Sequence, residues 1–163
     1  MLLEAGAFCA DRWRHLGDDE AVPEDETVTV SYARWTRERA ALTRRNAPLG
    51  LRLPNDVAPL VLGEDVHRFA VIVLDFPRFT DGRAYSQARL LRGRLGYRGS
   101  LRAAGNVLRD QLLFMRRCGF DSFEVGERAV AENWLAAFDE LDVFFQPGED
   151  RMPWVLRQRR AVA

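Results

Sequence analysis

The sequence predicts an α/β protein in which alternating strands and helices build a mostly parallel sheet. After residue 26, strand patterns alternate with helical patterns about five times, and such units connect by right-handed crossovers. Residues 69–75 (FAVIVLD) begin with an unbroken run of six apolar residues, typical of a strand covered on both faces. A chain of 163 residues fits one domain but is too short for a complete eightfold β/α barrel. An open three-layer sandwich and an incomplete TIM-like barrel both fit.

The individual elements follow from residue spacing and from start and stop signals. Strands are predicted where β-branched and apolar residues form short runs, at residues 27–31, 49–53, 69–75, 100–104, 121–125 and 143–146. Helices are predicted at residues 32–43, 57–66, 85–95, 106–118 and 128–141. In the fourth helix, Asn106 is a suitable N-cap, and Gly119 followed by Phe120 is a C-terminal stop signal.

We expect one domain over residues 1–163, made of three stretches. Residues 1–26 are loop-rich and include the acidic, proline-bearing loop 18–26. Residues 27–147 form the α/β core, and residues 148–163 form a basic tail. The longest apolar runs have six residues, which excludes a membrane span. The first ten residues contain Glu4 and no basic start, so no signal peptide is predicted.

The composition excludes several kinds of catalytic site. All 24 basic residues are arginine, so a Schiff-base lysine, a pyridoxal site and a P-loop lysine are impossible. Two histidines and two cysteines show no metal-ligand spacing, and no dinucleotide fingerprint is present. We therefore predict no metal and no cofactor. Two isolated cysteines are typical of the reducing cytoplasm, which is the expected location.

Acidic and basic residues are segregated along the chain although the net charge is zero. Residues 78–117 contain ten arginines and only two acids, whereas residues 4–26 and 121–150 are acidic. A basic block can attract a small anion or an acidic partner. With a pI of about 6.7 and no binding motif, nucleic acid is not an expected partner.

The first candidate site is the loop at residues 75–86, which leaves the apolar strand and enters a helix. Thr80 or Asp81 can cap that helix, and a glycine lets the backbone approach a ligand. An arginine can hold an oxyanion through two parallel hydrogen bonds. The candidate ligand-binding residues of this loop are Asp81, Gly82, Arg83, Tyr85 and Ser86. An ordinary capped turn with a surface arginine is the structural alternative.

The second candidate site follows the next strand, at Arg102, Gly105 and Asn106. Arg102 lies inside a covered strand, so its guanidinium needs a partner, and Asp75 is the best candidate. That ion pair serves either the architecture or half of an anion site. Asp110 and Gln111, one turn into the following helix, complete the candidate set. Cys118 is interpreted as a buried structural cysteine and His67 as a surface residue; the catalytic residues remain unknown.

Residues 76–125 (FPRFTDGRAYSQARLLRGRLGYRGSLRAAGNVLRDQLLFMRRCGFDSFEV) closely resemble the DUF934 family of bacterial proteins. Looser matches occur at residues 11–13, 33–35 and 49–54. The family pattern matches at Phe76, Pro77, Phe79, Asp81, Gly82, Tyr85, Ser86, Arg89, Gly96, Gly99, Leu101, Arg102, Gly105, Val107, Asp110, Gln111, Arg117, Cys118, Gly119 and Phe120. The family usually has aspartate where this chain has Asn106. Because asparagine caps a helix as well as aspartate does, the difference favours capping over acid–base chemistry at that position.

The resemblance implies a place in sulfur metabolism. Family members are often labelled as oxidoreductases of sulfite reduction, and their genes tend to lie beside those of a sulfite reductase and adenylyl-sulfate reductases of cysteine biosynthesis. The expected function is therefore an accessory protein of sulfite reduction that docks on one of these enzymes. Whether the chain is an enzyme stays open, because it contains no flavin, haem or iron–sulfur motif. The alternatives are a small oxyanion- or phosphate-binding enzyme or sensor that uses the two loops, and a structural subunit.

Overall fold

The computed structural model describes residues 1–126, 131–141 and 144–150. Its strands are β1 (Leu2–Glu4), β2 (Ala7–Cys9), β3 (Arg14–His15), β4 (Val28–Ser31), β5 (Leu49–Leu53), β6 (Phe69–Phe76), β7 (Ser100–Gly105) and β8 (Ser122–Glu124). Its α-helices are α1 (Tyr32–Leu42), α2 (Arg83–Arg89), α3 (Leu112–Arg117) and α4 (Ala131–Ala136). Two 3₁₀ segments, Pro59–Arg68 and Arg109–Gln111, and a π-helical turn, Leu90–Arg94, complete the elements.

The eight strands form one curled sheet in the order β2-β1-β8-β7-β6-β5-β4-β3. From β3 to β8 every strand pairs in parallel with its neighbour in the chain. A doubly wound sandwich reverses its strand order at a switch point, and this sheet has none over β3 to β8. The α/β class and the mostly parallel sheet are confirmed. The strand order supports the incomplete barrel, and no three-layer sandwich is confirmed.

The strands alternate between a helix-covered face and an inner face. Leu51, Leu53, Ile72 and Leu74 point to the covered face and pack with buried residues of α1, α2 and α3 in the main core. The intervening positions point to the inner face, where Val71, Val73 and Ala104 form a small apolar cluster beside Trp13. Because the sheet is curled, this inner face is concave, and we call it the concave face.

The first 26 residues contain three short strands that the sequence analysis did not predict. β1 and β2 form an antiparallel hairpin that extends the sheet beyond β8, and β3 extends it beyond β4. Ala5 and Gly6 make the hairpin turn, both with positive φ. The predicted loop at residues 18–26 is confirmed, because no helix or strand lies between β3 and β4.

The helical segments differ from the predicted helices in type and in bounds. The segment predicted at residues 57–66 is a 3₁₀ helix that starts at Pro59. The helix predicted at 85–95 starts at Arg83 and ends in the π-helical turn Leu90–Arg94. Of the helix predicted at residues 128–141, residues 131–136 form α4, residues 137–141 are not helical, and residues 128–130 lie outside the described residues.

The predicted strand at residues 143–146 is not a strand of the sheet within the described residues, and Val143 lies outside them. Most of the predicted basic tail, residues 151–163, also lies outside the described residues. No helix in the described part of the chain is long and apolar enough to span a bilayer.

Candidate functional site

The concave face holds a network of charged side chains that approach from neighbouring strands. Arg52 on β5 and Arg102 on β7 lie level with Val73 on β6, one on each side. Asp75 is two residues further along β6, opposite the small side chain of Ala104. The arrangement places two guanidinium groups beside the same strand, near its carboxyl end.

Asp75 binds Arg52, and the predicted pair with Arg102 is wrong. Arg52 Nε lies 3.0 Å from both carboxylate oxygens of Asp75, and its Nη2 lies 2.6 Å from Oδ1. Both arginines lie one strand away from Asp75, so strand spacing alone did not distinguish them. The partner of Arg102 comes instead from the segment before β3, which the prediction treated as loop.

Arg102 is almost fully buried, with a 2% exposed side chain. Its Nη1 donates to Asp11 Oδ2 at 2.7 Å, and its Nε donates to Ser122 Oγ at 3.3 Å. Glu124 Oε1 lies 3.8 Å from Nη1, beyond hydrogen-bond range. The Nη2 atom is buried and makes no hydrogen bond within the described residues. A buried guanidinium with an unfilled donor is energetically costly, which makes Arg102 the least satisfied group of this face.

Glu124 faces both arginines from β8. Burial raises the pKa of its carboxyl group, while the charges of Arg52 and Arg102 act in the opposite direction. The carboxylates of Asp11 and Asp75 add to the increase. Because burial dominates, Glu124 holds its proton at higher pH than an ordinary glutamate does.

The raised pKa of Glu124 predicts how the stability of the fold depends on pH. The folded state binds this proton more tightly than the unfolded state, so stability is gained as the pH falls through the folded-state pKa and is reduced above it. We therefore expect Glu124→Gln to be more stable than the parent at about pH 7.5, with a difference that shrinks toward about pH 5. Urea unfolding at both pH values measures it. Glu64→Gln, at an exposed position outside any ion pair of the described residues, is the control; a pH-independent difference for Glu124→Gln would contradict the assignment.

The first predicted loop does not contribute to this network. Asp81 accepts from Arg83 Nε at 2.9 Å and Nη2 at 2.6 Å, and it also accepts from Asn55 Nδ2. The hydrogen bond from Arg83 keeps the pKa of Asp81 well below its usual range. Asp81 Oδ1 also lies 3.3 Å from the backbone N of Arg83, while Gly82 is the N-cap of α2. Arg83 is thus already neutralised.

Tyr85 belongs to an aromatic cluster on the helix-covered side. Its ring lies 5.1 Å from Phe76, 6.5 Å from Phe120 and 4.8 Å from Phe114. Burial raises the pKa of its phenol group to about 12, so it stays protonated at neutral pH. Ser86 is exposed on α2. The structure therefore does not bring Tyr85 or Ser86 together with the guanidinium of Arg102.

In the second predicted loop, Gly105 and Asn106 serve the packing of β7 against β6. Gly105 has a φ of +87°, and a Cβ there would lie 2.6 Å from the carbonyl oxygen of Phe76. The N–H of Asn106 donates to that same carbonyl at 2.8 Å. The prediction that Asn106 is an N-cap is wrong, because Leu108 is still extended and caps the 3₁₀ segment Arg109–Gln111. The bond to Phe76 holds Asn106 against the end of the sheet, and α3 begins only at Leu112.

Asp110 and Gln111 lie in the 3₁₀ segment before α3. Asp110 is exposed. Gln111 Nε2 donates to the carbonyl of Phe79 at 3.3 Å, and its Oε1 is buried without a partner in the described residues. Gln111 thus joins the loop before α2 to the start of α3. Cys118 is buried as predicted, and burial raises the pKa of its thiol, which disfavours the reactive thiolate.

An exposed aromatic surface lies where α2 and α3 meet. The rings of Phe79 and Phe114 are 51% and 56% exposed. Tyr85 contacts Phe114, and Gln111 links this surface to the backbone of Phe79. Arg78 precedes Phe79 in the chain, and Arg89 lies one turn after Tyr85 on α2. Both are exposed and form no ion pair within the described residues. We call Arg78, Phe79, Arg89 and Phe114 the aromatic–arginine surface.

Three residues of the network are not predicted from the sequence: Asp11, Arg52 and Glu124. The alternation of β5 and β8 could have identified the last two, since each charge lies between residues that point into the core. Nothing in the sequence places Asp11 over β7. In the described residues no group of three or more histidine, cysteine, aspartate or glutamate side chains could hold a metal ion.

The fold and the site define a class: a half-barrel α/β protein with an ion-paired concave face and an exposed aromatic–arginine surface. The chain belongs to the family described as bacterial protein of unknown function (DUF934), whose model matches residues 50–154. That range contains β6 to β8, all but the first residue of β5, both predicted loops and the aromatic–arginine surface. No curated protein and no solved structure matches the chain.

Proposed function

We propose that this chain is an accessory protein of sulfate and sulfite reduction that docks on sulfite reductase or adenylyl-sulfate reductase. The observation that carries the docking role is the aromatic–arginine surface. Two aromatic rings that are half exposed lie beside two arginines without carboxylate partners in the described residues. Exposed aromatic and arginine side chains are the residue types that contribute most to protein interfaces.

The positive charge of this surface indicates that the partner has an acidic surface. Residues 78–117 carry eight more positive than negative charges, and Asp81 already neutralises Arg83. Arg78 and Arg89 therefore remain available to the carboxylates of a partner. An acidic surface with an apolar centre would complement them, and opposite charges would accelerate docking at low salt. The choice of the two reductases rests on the resemblance to the family.

The loops support small-oxyanion chemistry less well than docking. Arg83, the proposed oxyanion clamp, is bound to Asp81 through two of its nitrogens. Tyr85 and Ser86 do not lie beside Arg102, as the alternative function of an oxyanion or phosphate enzyme would require. The docking role needs none of these groups to meet.

Co-purification tests the proposal. The tagged chain is expressed in its own host on sulfate as sole sulfur source, and both reductases are quantified in the eluate at two salt concentrations. We expect specific recovery that falls with salt, because screening weakens exposed charge pairs. Phe79→Ser with Phe114→Ser, and Arg78→Glu with Arg89→Glu, should each reduce recovery about tenfold or more.

The control is Arg44→Glu, which makes half of the charge change of Arg78→Glu with Arg89→Glu, at an exposed position after α1 outside any ion pair in the described residues. It should leave recovery unchanged. Recovery of neither reductase by folded, abundant protein would contradict the proposal. If Arg44→Glu lowered the recovery of the reductases as much as the surface variants do, the net charge of the protein would explain the loss. That result would also contradict the docking proposal.

A further inference from the structure

Arg102 on the concave face has a buried hydrogen-bond donor without an acceptor in the described residues, and it takes no part in the aromatic–arginine surface. A guanidinium has five N–H donors in a planar fork, and paired donors suit the two oxygens of one oxyanion. Asp11 accepts a hydrogen bond from Nη1, and Ser122 accepts one from Nε. The two Nη2 protons have no acceptor in the described residues although the atom is buried. The fork is therefore only partly used by the protein's own carboxylate.

Asp11 reaches Arg102 from a segment without regular structure. Residues 10–13 join β2 to β3 and contain no helix or strand. Asp11 is 39% exposed although its partner is buried, and among the described residues its other carboxylate oxygen accepts only from the N–H of Trp13 in the same segment. The carboxylate at Arg102 thus comes from a segment outside the strands of the sheet, which Trp13 anchors on the concave face.

The charges of the concave face allow a small anion to take the place of the Asp11 carboxylate at Arg102. Asp75 is bound by Arg52, and Glu124 lies outside hydrogen-bond range of Arg102. A free anion added to this face would meet the charges of Asp11, Asp75 and Glu124. A singly charged anion that takes the place of the Asp11 carboxylate leaves the charge next to the Arg102 guanidinium unchanged, whereas a doubly charged one adds a single negative charge. Exchange is thus the route to binding that adds the least negative charge.

We propose that Arg102 is a receptor for the oxyanion group of a small ligand, and that Asp11 occupies its place in the free protein. The ligand's oxyanion replaces the Asp11 carboxylate and accepts from both Nη1 and Nη2, so the ligand fills the donor that Asp11 leaves unpaired. The Asp11 side chain then turns away from Arg102, while Trp13 stays packed on the concave face. Arg52, across Val73 on the same face, is the next donor a larger oxyanion would meet.

The variant Asp11→Asn separates this proposal from a purely structural ion pair. The amide cannot compete as a charged acceptor, so an added anion should bind Arg102 about tenfold more tightly than in the parent. Sulfate, phosphate and acetate are the probes, each against chloride at constant ionic strength. Urea unfolding against anion concentration gives the dissociation constant, because a ligand of the folded state raises the unfolding free energy. Acetate distinguishes a planar carboxylate ligand from a tetrahedral oxyanion.

The control is Asp19→Asn, which removes the same charge at an exposed position without a hydrogen bond or ion pair in the described residues. It should respond to the anions as the parent does. Equal responses of Asp11→Asn and Asp19→Asn would overturn the proposal, since the anions would then act on the whole protein. Asp11→Asn with Arg102→Met should lose the response; a folded double variant that keeps it would also overturn the proposal. If the double variant does not fold, the comparison of the two asparagine variants decides.

Discussion

Gly105→Ala is expected to reduce the free energy of unfolding by about 2–5 kcal/mol. The left-handed φ of +87° already disfavours an L side chain. The new methyl group would also lie 2.6 Å from the carbonyl oxygen of Phe76, a backbone atom that cannot rotate away. That carbonyl accepts from Asn106, so moving it would break the bond that ends β7. Urea unfolding of the purified variant measures the loss.

Gly6→Ala separates the cost of the left-handed backbone conformation from the cost of the steric clash. Gly6 has a φ of +76°, but a Cβ there would meet nothing within 4 Å. It should cost only the conformational penalty of about 1–2 kcal/mol. Equal losses for Gly6→Ala and Gly105→Ala would mean that the end of β6 shifts to accept the methyl group, contrary to the close packing seen here.

This result bears on how Gly105 was interpreted from the sequence. A glycine after a strand and before a helical pattern suggests a backbone that approaches a ligand. The structure instead has the backbone of β7 approaching β6, and the close contact is with Phe76. Sequence cannot distinguish a ligand from a neighbouring strand, since both demand the absence of a Cβ.

The core strands were predictable because each is a dense apolar run. The strand at Leu49–Leu53 was predicted with its observed bounds, and the strands at Phe69 and Ser100 differ at one end by a residue. The hairpin β1–β2 has strands of three residues, too short for a period-two pattern to stand out. The helical pattern after Asn106 was misleading, because tertiary bonding to Phe76 delays the helix.

The candidate site was predicted only in part, for a related reason. Arg102 was recognised as a buried cation in need of a partner, which the structure confirms. Its partner Asp11 is 91 residues away in the chain. Long-range pairing depends on where β3 adds to the sheet, and no local pattern encodes that position. Arg52 was overlooked although it captures Asp75, the acid that had been assigned to Arg102.

Phe76→Ala is also expected to reduce the free energy of unfolding strongly, by about 3–5 kcal/mol. The ring of Phe76 is fully buried at the end of β6 and lies 5.1 Å from Tyr85 and 5.7 Å from Phe120. Its removal leaves a cavity beneath the aromatic cluster that supports Phe114. Besides stability, we therefore expect a change in the near-ultraviolet circular dichroism of the tyrosine and phenylalanine rings.

Two matched variants make the Phe76 prediction specific. Phe79→Ala removes the same ring three residues later, where it is 51% exposed, and should change the unfolding free energy by less than about 0.5 kcal/mol. Phe76→Leu keeps most of the buried volume and should lose less than half of what Phe76→Ala loses. If Phe79→Ala proved as costly as Phe76→Ala, the ring of Phe79 would have to be buried in solution. The aromatic–arginine surface would then lose one of the two exposed rings on which the docking proposal depends.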